Sequence, residues 1–239
     1  MANLLRMGML ERLDGYVCVD KPAGIAFSTV VKAVKRKFNL VKLGHGGALD
    51  PAASGLFTLL VGDANKFAGE LMGADRHYEG SMLLGRKTST GDVNGETLAE
   101  KPLPENADAA IAAAAPEFRG DVFQTENRWC AVRREGSAQY ELADTGEHKP
   151  FLAHIYRFDI GPVKDSTARF SLHATKGAIV RTLVDDFGDA LGCGACLASL
   201  RRTKTGKLDV AQAVAFDKLL ETDAEGFAAL VKPATTLFV

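Results

Sequence analysis

The octet Gly44-His45-Gly46-Gly47-Ala48-Leu49-Asp50-Pro51 constrains this chain more than any other stretch. Pro51 bars Asp50 from the α conformation and holds it extended, because a helical residue before proline clashes with the ring. The flanking glycines admit positive φ angles and let another molecule approach the backbone closely. Together they describe an aimed carboxylate beside a surface that a large partner can touch. His45 lies in the same loop and offers a ring that stacks on such a partner or hydrogen-bonds to it. Read alone, the octet fits a tight turn with an Asp-Pro stop equally well.

The neighbouring segments separate these readings. The octet resembles the second motif of the TruB-type tRNA pseudouridine synthases, G-H-x-G-x-L-D-P-x-A-x-G, matched by Gly44, His45, Gly47, Leu49, Asp50, Pro51, Ala53 and Gly55. Upstream, Gly15-Tyr16-Val17-Cys18-Val19-Asp20-Lys21-Pro22-Ala23-Gly24 is similar to the family's first motif, a strand followed by D-K-P-x-G. Downstream, Arg76-His77-Tyr78 resembles K-x-Y, with Gly85 and Thr88-Ser89-Thr90-Gly91-Asp92 after it. Lys176-Gly177-Ala178-Ile179-Val180-Arg181-Thr182-Leu183 resembles K-G-T-Y-I-R-T-L, and Leu191-Gly192-Cys193-Gly194-Ala195 with Leu200-Arg201-Arg202-Thr203 resembles the closing segment. The resemblance runs in order over residues 12–220.

Composition allows this. With 239 residues, of which 46% are hydrophobic and 25% charged, the chain can bury one domain, or one domain with a minor lobe. The net charge of −1 argues against a general polyanion binder, yet the charge is uneven. Lys32, Lys35, Arg36, Lys37 and Lys42 cluster before the Asp50 loop, Arg201, Arg202, Lys204 and Lys207 cluster late, and residues 96–121 are mostly acidic. A solvated helix face explains either basic cluster; their position beside the motifs favours phosphate contacts. Residues 1–12 are too short and too charged for a secretory signal, and no apolar run reaches membrane length. Four cysteines, with Cys193 and Cys196 as the only C-x-x-C pair, fit structural thiols in a reducing, cytoplasmic setting.

Patterning predicts mixed α and β structure. Strands are expected over residues 16–19, 56–61, 78–84, 153–160 and 168–174, the last two joined at Gly161-Pro162. Ser28 is expected to cap a helix whose apolar positions are Val30, Val31, Val34 and Phe38 and which ends at Asn39. Further helices are expected over residues 65–72, 107–114, 177–191, 208–220 and 224–231. The resemblance implies an α+β fold: the pseudouridine synthase catalytic core, a largely antiparallel mixed sheet with flanking helices and an RNA-binding cleft. One catalytic domain over residues 1–239 is expected, with a helical tail at 221–239 and without the PUA-type domain of longer members.

The implied reaction isomerises uridine in tRNA, at position 55 of the T arm. It needs neither metal nor cofactor. The resemblance assigns Asp50 as the carboxylate at the ribose, Arg181 as its guanidinium partner, and Tyr78 as the ring that packs on the base and handles the C5 proton. It assigns His45 to placing the flipped nucleotide, with Gly44 and Gly47 in the same loop and Leu200 lining the base pocket. Lys21 and Asp92 are expected to shape loops. Lys32, Lys35, Arg36, Arg201 and Arg202 are expected to face RNA, and a monomer acting on the tRNA T-arm stem-loop is expected. Two departures bear on substrate and rate. Ala178-Ile179 replaces the usual T-Y, and residues 126–136 keep an aromatic (Trp129) and a cation (Arg133) of P-P-x-Y-S-A-x-K-x-x-G but lose its prolines. A tRNA-binding factor without turnover, and a small-molecule enzyme using Asp50 and His45 as acid and base, are the competing readings.

Overall fold

The computed structural model describes residues 13–125, 132–134, 137–139 and 150–237. The altered segment around Glu126, Asn127, Trp129 and Cys130 lies outside the described residues, as does the side chain of Arg133. In chain order the strands and helices begin with β1 (Gly15–Lys21), α1 (Phe27–Lys37), β2 (Leu43–His45), β3 (Ser54–Val61), α2 (Ala68–Gly73) and β4 (Arg76–Leu84). They continue with β5 (Arg86–Thr88), β6 (Thr97–Glu100), α3 (Ala107–Ala114), β7 (Gly120–Gln124), β8 (Val132–Arg134), β9 (Ser137–Gln139) and β10 (Phe151–Ile160). The last are β11 (Thr167–Ala174), α4 (Val180–Ala190), β12 (Ala195–Thr205), β13 (Leu208–Asp209), β14 (Val214–Ala215), α5 (Phe216–Glu221) and α6 (Ala224–Leu230). The pairings are mostly antiparallel, and helices are interspersed with strands, the expected α+β class.

The chain divides into two compact units, residues 1–76 with 201–239 and residues 77–200. In the first unit β1 lies between β14 and β3. It pairs with β3 antiparallel over its full length, from Gly15↔Val61 to Lys21↔Gly55. Residues 55–61 of β3 are all buried, as expected of a strand covered on both faces. Residues Arg201 and Arg202 of β12 run parallel to Ser54 and Gly55. One face is closed by Tyr16, Cys18, Leu56, Leu60, Leu71 and Leu208. Helix α1 buries Val30 and Val34 and carries Lys35, Arg36 and Lys37 in its last turn, where cations complement the helix dipole.

In the second unit β4, β11, β10 and β7 lie side by side in that order. Strand β11 alternates cleanly, burying Ala168, Phe170, Leu172 and Ala174. That face meets Tyr78 and Met82 of β4, Phe158 of β10, and Leu183, Val184 and Phe187 of α4 in one core. Helix α3 spans the expected residues 107–114, capped by the Asn106 side chain, which accepts from the Ala109 N–H at 3.1 Å.

Three expectations need correction. Ser28 does not cap α1. The N-cap is Ala26, and the helix begins at Phe27, whose ring packs 5.0 Å from His45 and 6.0 Å from Phe57. Residues 208–220 are not one helix. Gly206, at φ 54°, turns the chain so that Leu208 pairs with Thr205, and Val214 and Ala215 pair with Val19 and Asp20, leaving a short 3-10 turn at Val210–Gln212 and α5 as the helical parts. The helix expected from 177 starts at Val180, because Gly177 has φ 84° and Ile179 is extended.

Candidate active site

Asp50 belongs to the first unit, and its loop is held from several directions. Strand β2 pairs Gly44 with Leu60 and His45 with Leu59, and the Gly46 N–H donates to Thr58 O at 2.9 Å. A Cβ on Gly44 would sit 1.9 Å from Asn65 Oδ1, and one on Gly46 2.8 Å from Leu71, so the loop requires glycine there for space. After the loop, Gly24 N–H donates to Pro51 O at 2.7 Å. The carboxylate oxygen Oδ1 of Asp50 accepts from Ala52 N–H at 3.0 Å, an Asx-type turn that fixes its direction while the side chain stays half-buried.

His45 has its ring 5.0 Å from Phe27 and 5.7 Å from Phe57. Its Nδ1 accepts from Gly47 N–H at 3.2 Å, which leaves the proton of the neutral ring on Nε2. The ring is thus preset in orientation by one amide and two phenylalanines.

Lys21 is fully buried beneath this loop. Its Nζ donates to Pro22 O and Ile25 O at 2.8 Å and to Pro51 O at 3.3 Å, joining the two motif loops. Burial pushes its pKa down from 10.5 to about 8; the Asp50 charge pulls upward and the Arg202 charge adds to the fall. Lys21 thus ties the two motif loops together and sets a buried cation near Asp50.

Arg202 departs from the RNA-facing expectation. It is only 3% exposed. Nε donates to Leu56 O at 2.8 Å, Nη1 to Ala48 O at 2.8 Å and Nη2 to Gly47 O at 3.4 Å. A guanidinium so enclosed is turned to its own backbone. Its neighbour Arg201 is half-exposed and bidentate on Asp20, at 2.9 and 2.6 Å. Lys32, Lys35 and Arg36 stand exposed on α1, as an RNA-facing role needs, while exposed Lys42 pairs with Asp63 at 3.0 Å.

Tyr78, Asp92, Arg181 and Leu200 belong to the second unit. Tyr78 is buried within the core that α4 closes, and Leu200 packs against that core partly buried. Arg181 lies in the first turn of α4, with Nη1 donating to Thr90 O at 3.1 Å and lying 3.8 Å from Asp92 Oδ2. Asp92 Oδ1 accepts from Thr90 Oγ1 and from Asn94 N–H, both at 2.9 Å. The Thr-Gly-Asp turn thus receives the guanidinium on a carbonyl and a carboxylate.

Two residues here were not singled out from sequence. Thr90 contributes its carbonyl to Arg181 and its hydroxyl to Asp92. Gln124, 1% exposed, uses both ends of its amide on one residue: Nε2 donates to Ile179 O at 3.1 Å and Oε1 accepts from Ile179 N–H at 2.9 Å. That pair fixes the extended backbone just before α4, and with it the entry of Arg181. The pair engages the main chain of Ile179 and not its side chain. Thr90 had a sequence signal, two residues before an aspartate in a Thr-x-Asp turn; Gln124 had none.

The cysteines at 18, 193 and 196 are buried free thiols, in line with the structural reading. Among the described residues no group of three His, Cys, Asp or Glu side chains is placed to hold a metal ion. No described helix is long and apolar enough to cross a membrane.

The fold matches that of one chain in the crystal structure of a Cbf5-Nop10-Gar1 complex, with a TM-score of 0.73 at 23% identity, covering 96% of this chain and 62% of that one. A chain in a structure of an H/ACA RNP bound to a substrate RNA containing 2'-deoxyuridine gives 0.69, again at 23% identity, over 96% and 61%. The sequence profile of the TruB family pseudouridylate synthase N-terminal domain matches residues 35–180, and that of the tRNA pseudouridylate synthase B C-terminal domain matches residues 181–239. The chain belongs to the TruB family of pseudouridylate synthases. Its relatives include tRNA pseudouridine synthase B of Stutzerimonas stutzeri, 38% identical over 92% of this chain and 74% of that protein. The protein of the same name from Opitutus terrae is 39% identical over 87% and 88%.

Proposed function

We propose that this chain isomerises uridine to pseudouridine in tRNA, with uridine 55 of the T arm as the target and Asp50 as the essential carboxylate. The observation that carries the reading is the Asp50 loop itself: a carboxylate aimed by Pro51 and by its own Ala52 amide contact, in a chain of the TruB family. The reaction breaks the C1′–N1 bond, turns the uracil, and forms a C5–C1′ bond. C5 loses a proton and N1 gains one, so composition is unchanged and no redox partner or nucleotide is consumed.

In this reading Asp50 acts on the ribose, either at C1′ or on a ribose proton, and both roles need an ionised, fixed carboxylate. Buried Lys21 places positive charge near that carboxylate. Tyr78 packs on the target base and handles the C5 proton, and Arg181 provides the guanidinium. His45, its ring direction preset, takes up the space of the extracted base; flipping costs a few kcal/mol and needs such a group to offset it. Leu200 lines the base pocket. Lys32, Lys35 and Arg36 contact phosphates, and Arg201 joins them by exchanging Asp20 for phosphate. We read the whole chain as one catalytic domain acting as a cytoplasmic monomer.

Tritium release from tRNA transcript labelled at uridine C5 tests the reading. Release in proportion to enzyme turnover is expected. Tight tRNA binding without release would favour the tRNA-binding factor, a reading motivated by Ala178-Ile179.

A further inference from the structure

Arg202 is buried, charged and turned inward, and nothing in the reaction as read so far uses it. Three of its hydrogen bonds reach three different carbonyls, and two of those, Gly47 O and Ala48 O, belong to the loop that ends in Asp50. The third, Leu56 O, lies on β3, the strand that follows the loop. The guanidinium therefore ties the start of the Asp50 loop to the strand that receives its end. Lys21 holds the other side through Pro51 O. Asp50 sits between the two attachments.

The position of Arg202 is itself fixed. Its backbone runs parallel to Gly55, so close that a Cβ on Gly55 would lie 2.3 Å from Arg202 O. Gly55 has φ 102°, a conformation that L side chains rarely adopt. This approach lets the arginine side chain reach back under the loop. A planar fork donates from Nε, Nη1 and Nη2 to three separate carbonyls, whereas a lysine ammonium presents all its donors from one atom.

We propose that Arg202 is a positioning residue for catalysis: by bonding the Gly47 and Ala48 carbonyls and anchoring them to β3, it holds the Asp50 carboxylate in its productive place. The proposal rests on the reading of Asp50 as the catalytic carboxylate. It assigns Arg202 to the interior of the site and not to RNA phosphates.

The test is single-turnover and steady-state kinetics on tRNA transcript for wild type, R202K and R202Q, with D50N measured beside them. Tritium release gives rates and filter binding gives tRNA affinity. R202K keeps the charge and loses the fork; R202Q loses the charge and keeps two N–H donors. Both are expected to lower kcat by an amount of the order of 100-fold, the effect of misplacing a reacting group by about an ångström. KM and tRNA Kd should stay within about twofold, because flexible phosphate contacts are untouched. R202A should regain part of its kcat with added guanidinium and none with methylammonium, a response that a purely structural defect would not give.

Weakened tRNA binding with unchanged kcat would overturn the proposal and return Arg202 to phosphate contact. Lowered melting temperature with unchanged kcat, or rescue by both cations alike, would overturn it as well. If D50N turns over normally, the Asp50 reading has failed. If D50N is dead while R202K and R202Q match wild type, only the Arg202 proposal has failed.

Discussion

Replacing Lys21 with methionine should remove a specific pH dependence of stability. Lys21 is fully buried, and desolvation lowers its pKa from 10.5 to about 8. Below about pH 8 both folded and unfolded chains carry the proton, and the folded state bears the full penalty of a buried ammonium. Between about 8 and 10.5 the folded chain releases the proton while the unfolded chain keeps it. The unfolded state then binds more protons, so stability rises with pH across that window and levels off above it. At about 1.4 kcal/mol per tenfold change in the equilibrium, the fall from 10.5 to about 8 amounts to about 3 kcal/mol. Lys21→Met has no group to titrate and lacks this rise. Urea unfolding of both proteins at about pH 7 and about pH 10 measures it, since every other titrating group cancels in the difference. Wild type should gain about 2.5 kcal/mol relative to Lys21→Met on going to the higher pH, most of the full shift because pH 10 still lies inside the window. Parallel pH profiles, or a gain by the variant, would refute the claim that burial dominates over the Asp50 charge at this lysine.

Other outcomes follow from the same contacts. Gln124→Leu leaves the Ile179 N–H and C=O without their side-chain partner and should destabilise the chain by roughly 2–5 kcal/mol in urea unfolding; it should also lower turnover through Arg181. Gly55→Ala forces a Cβ against the Arg202 backbone at φ 102° and should lower stability by at least about 2 kcal/mol, read as a depressed melting temperature. tRNA affinity should fall with salt, and the combined Lys32→Ala, Lys35→Ala, Arg36→Ala variant should flatten the log–log slope by roughly 2–3 if each contacts one phosphate. An unchanged slope would place RNA elsewhere on the molecule.

The Asp50 loop was legible because its constraints are local: a proline after the aspartate, and glycines where Asn65, Leu71 and Arg202 leave no room for a side chain. Strands such as β11 were legible because one face is buried and the other is not, so the sequence alternates. Strand β12 was named only as a motif, because its eleven residues combine a buried start with a run of cations whose burial alternates irregularly. Residues 208–220 read as helix because their apolar spacing suits one, while pairing with Val19 and Thr205, distant or turned back through Gly206, decided the outcome. The inward turn of Arg202 was hidden for the same reason: arginine in a basic cluster reads as surface, and only the packing of β12 on Gly55 shows that its partners are carbonyls. Gln124 and Ile179, 55 residues apart, meet only once the second unit is folded.

The most direct measurement is a pseudouridine map of unmodified tRNA transcripts after incubation with wild-type protein and with Asp50→Asn. The account predicts pseudouridine at position 55 with wild type and none with the variant, which should retain the wild-type melting temperature and tRNA affinity. Product formed by Asp50→Asn at the wild-type rate, or wild-type protein that binds tRNA and modifies no uridine, would contradict it.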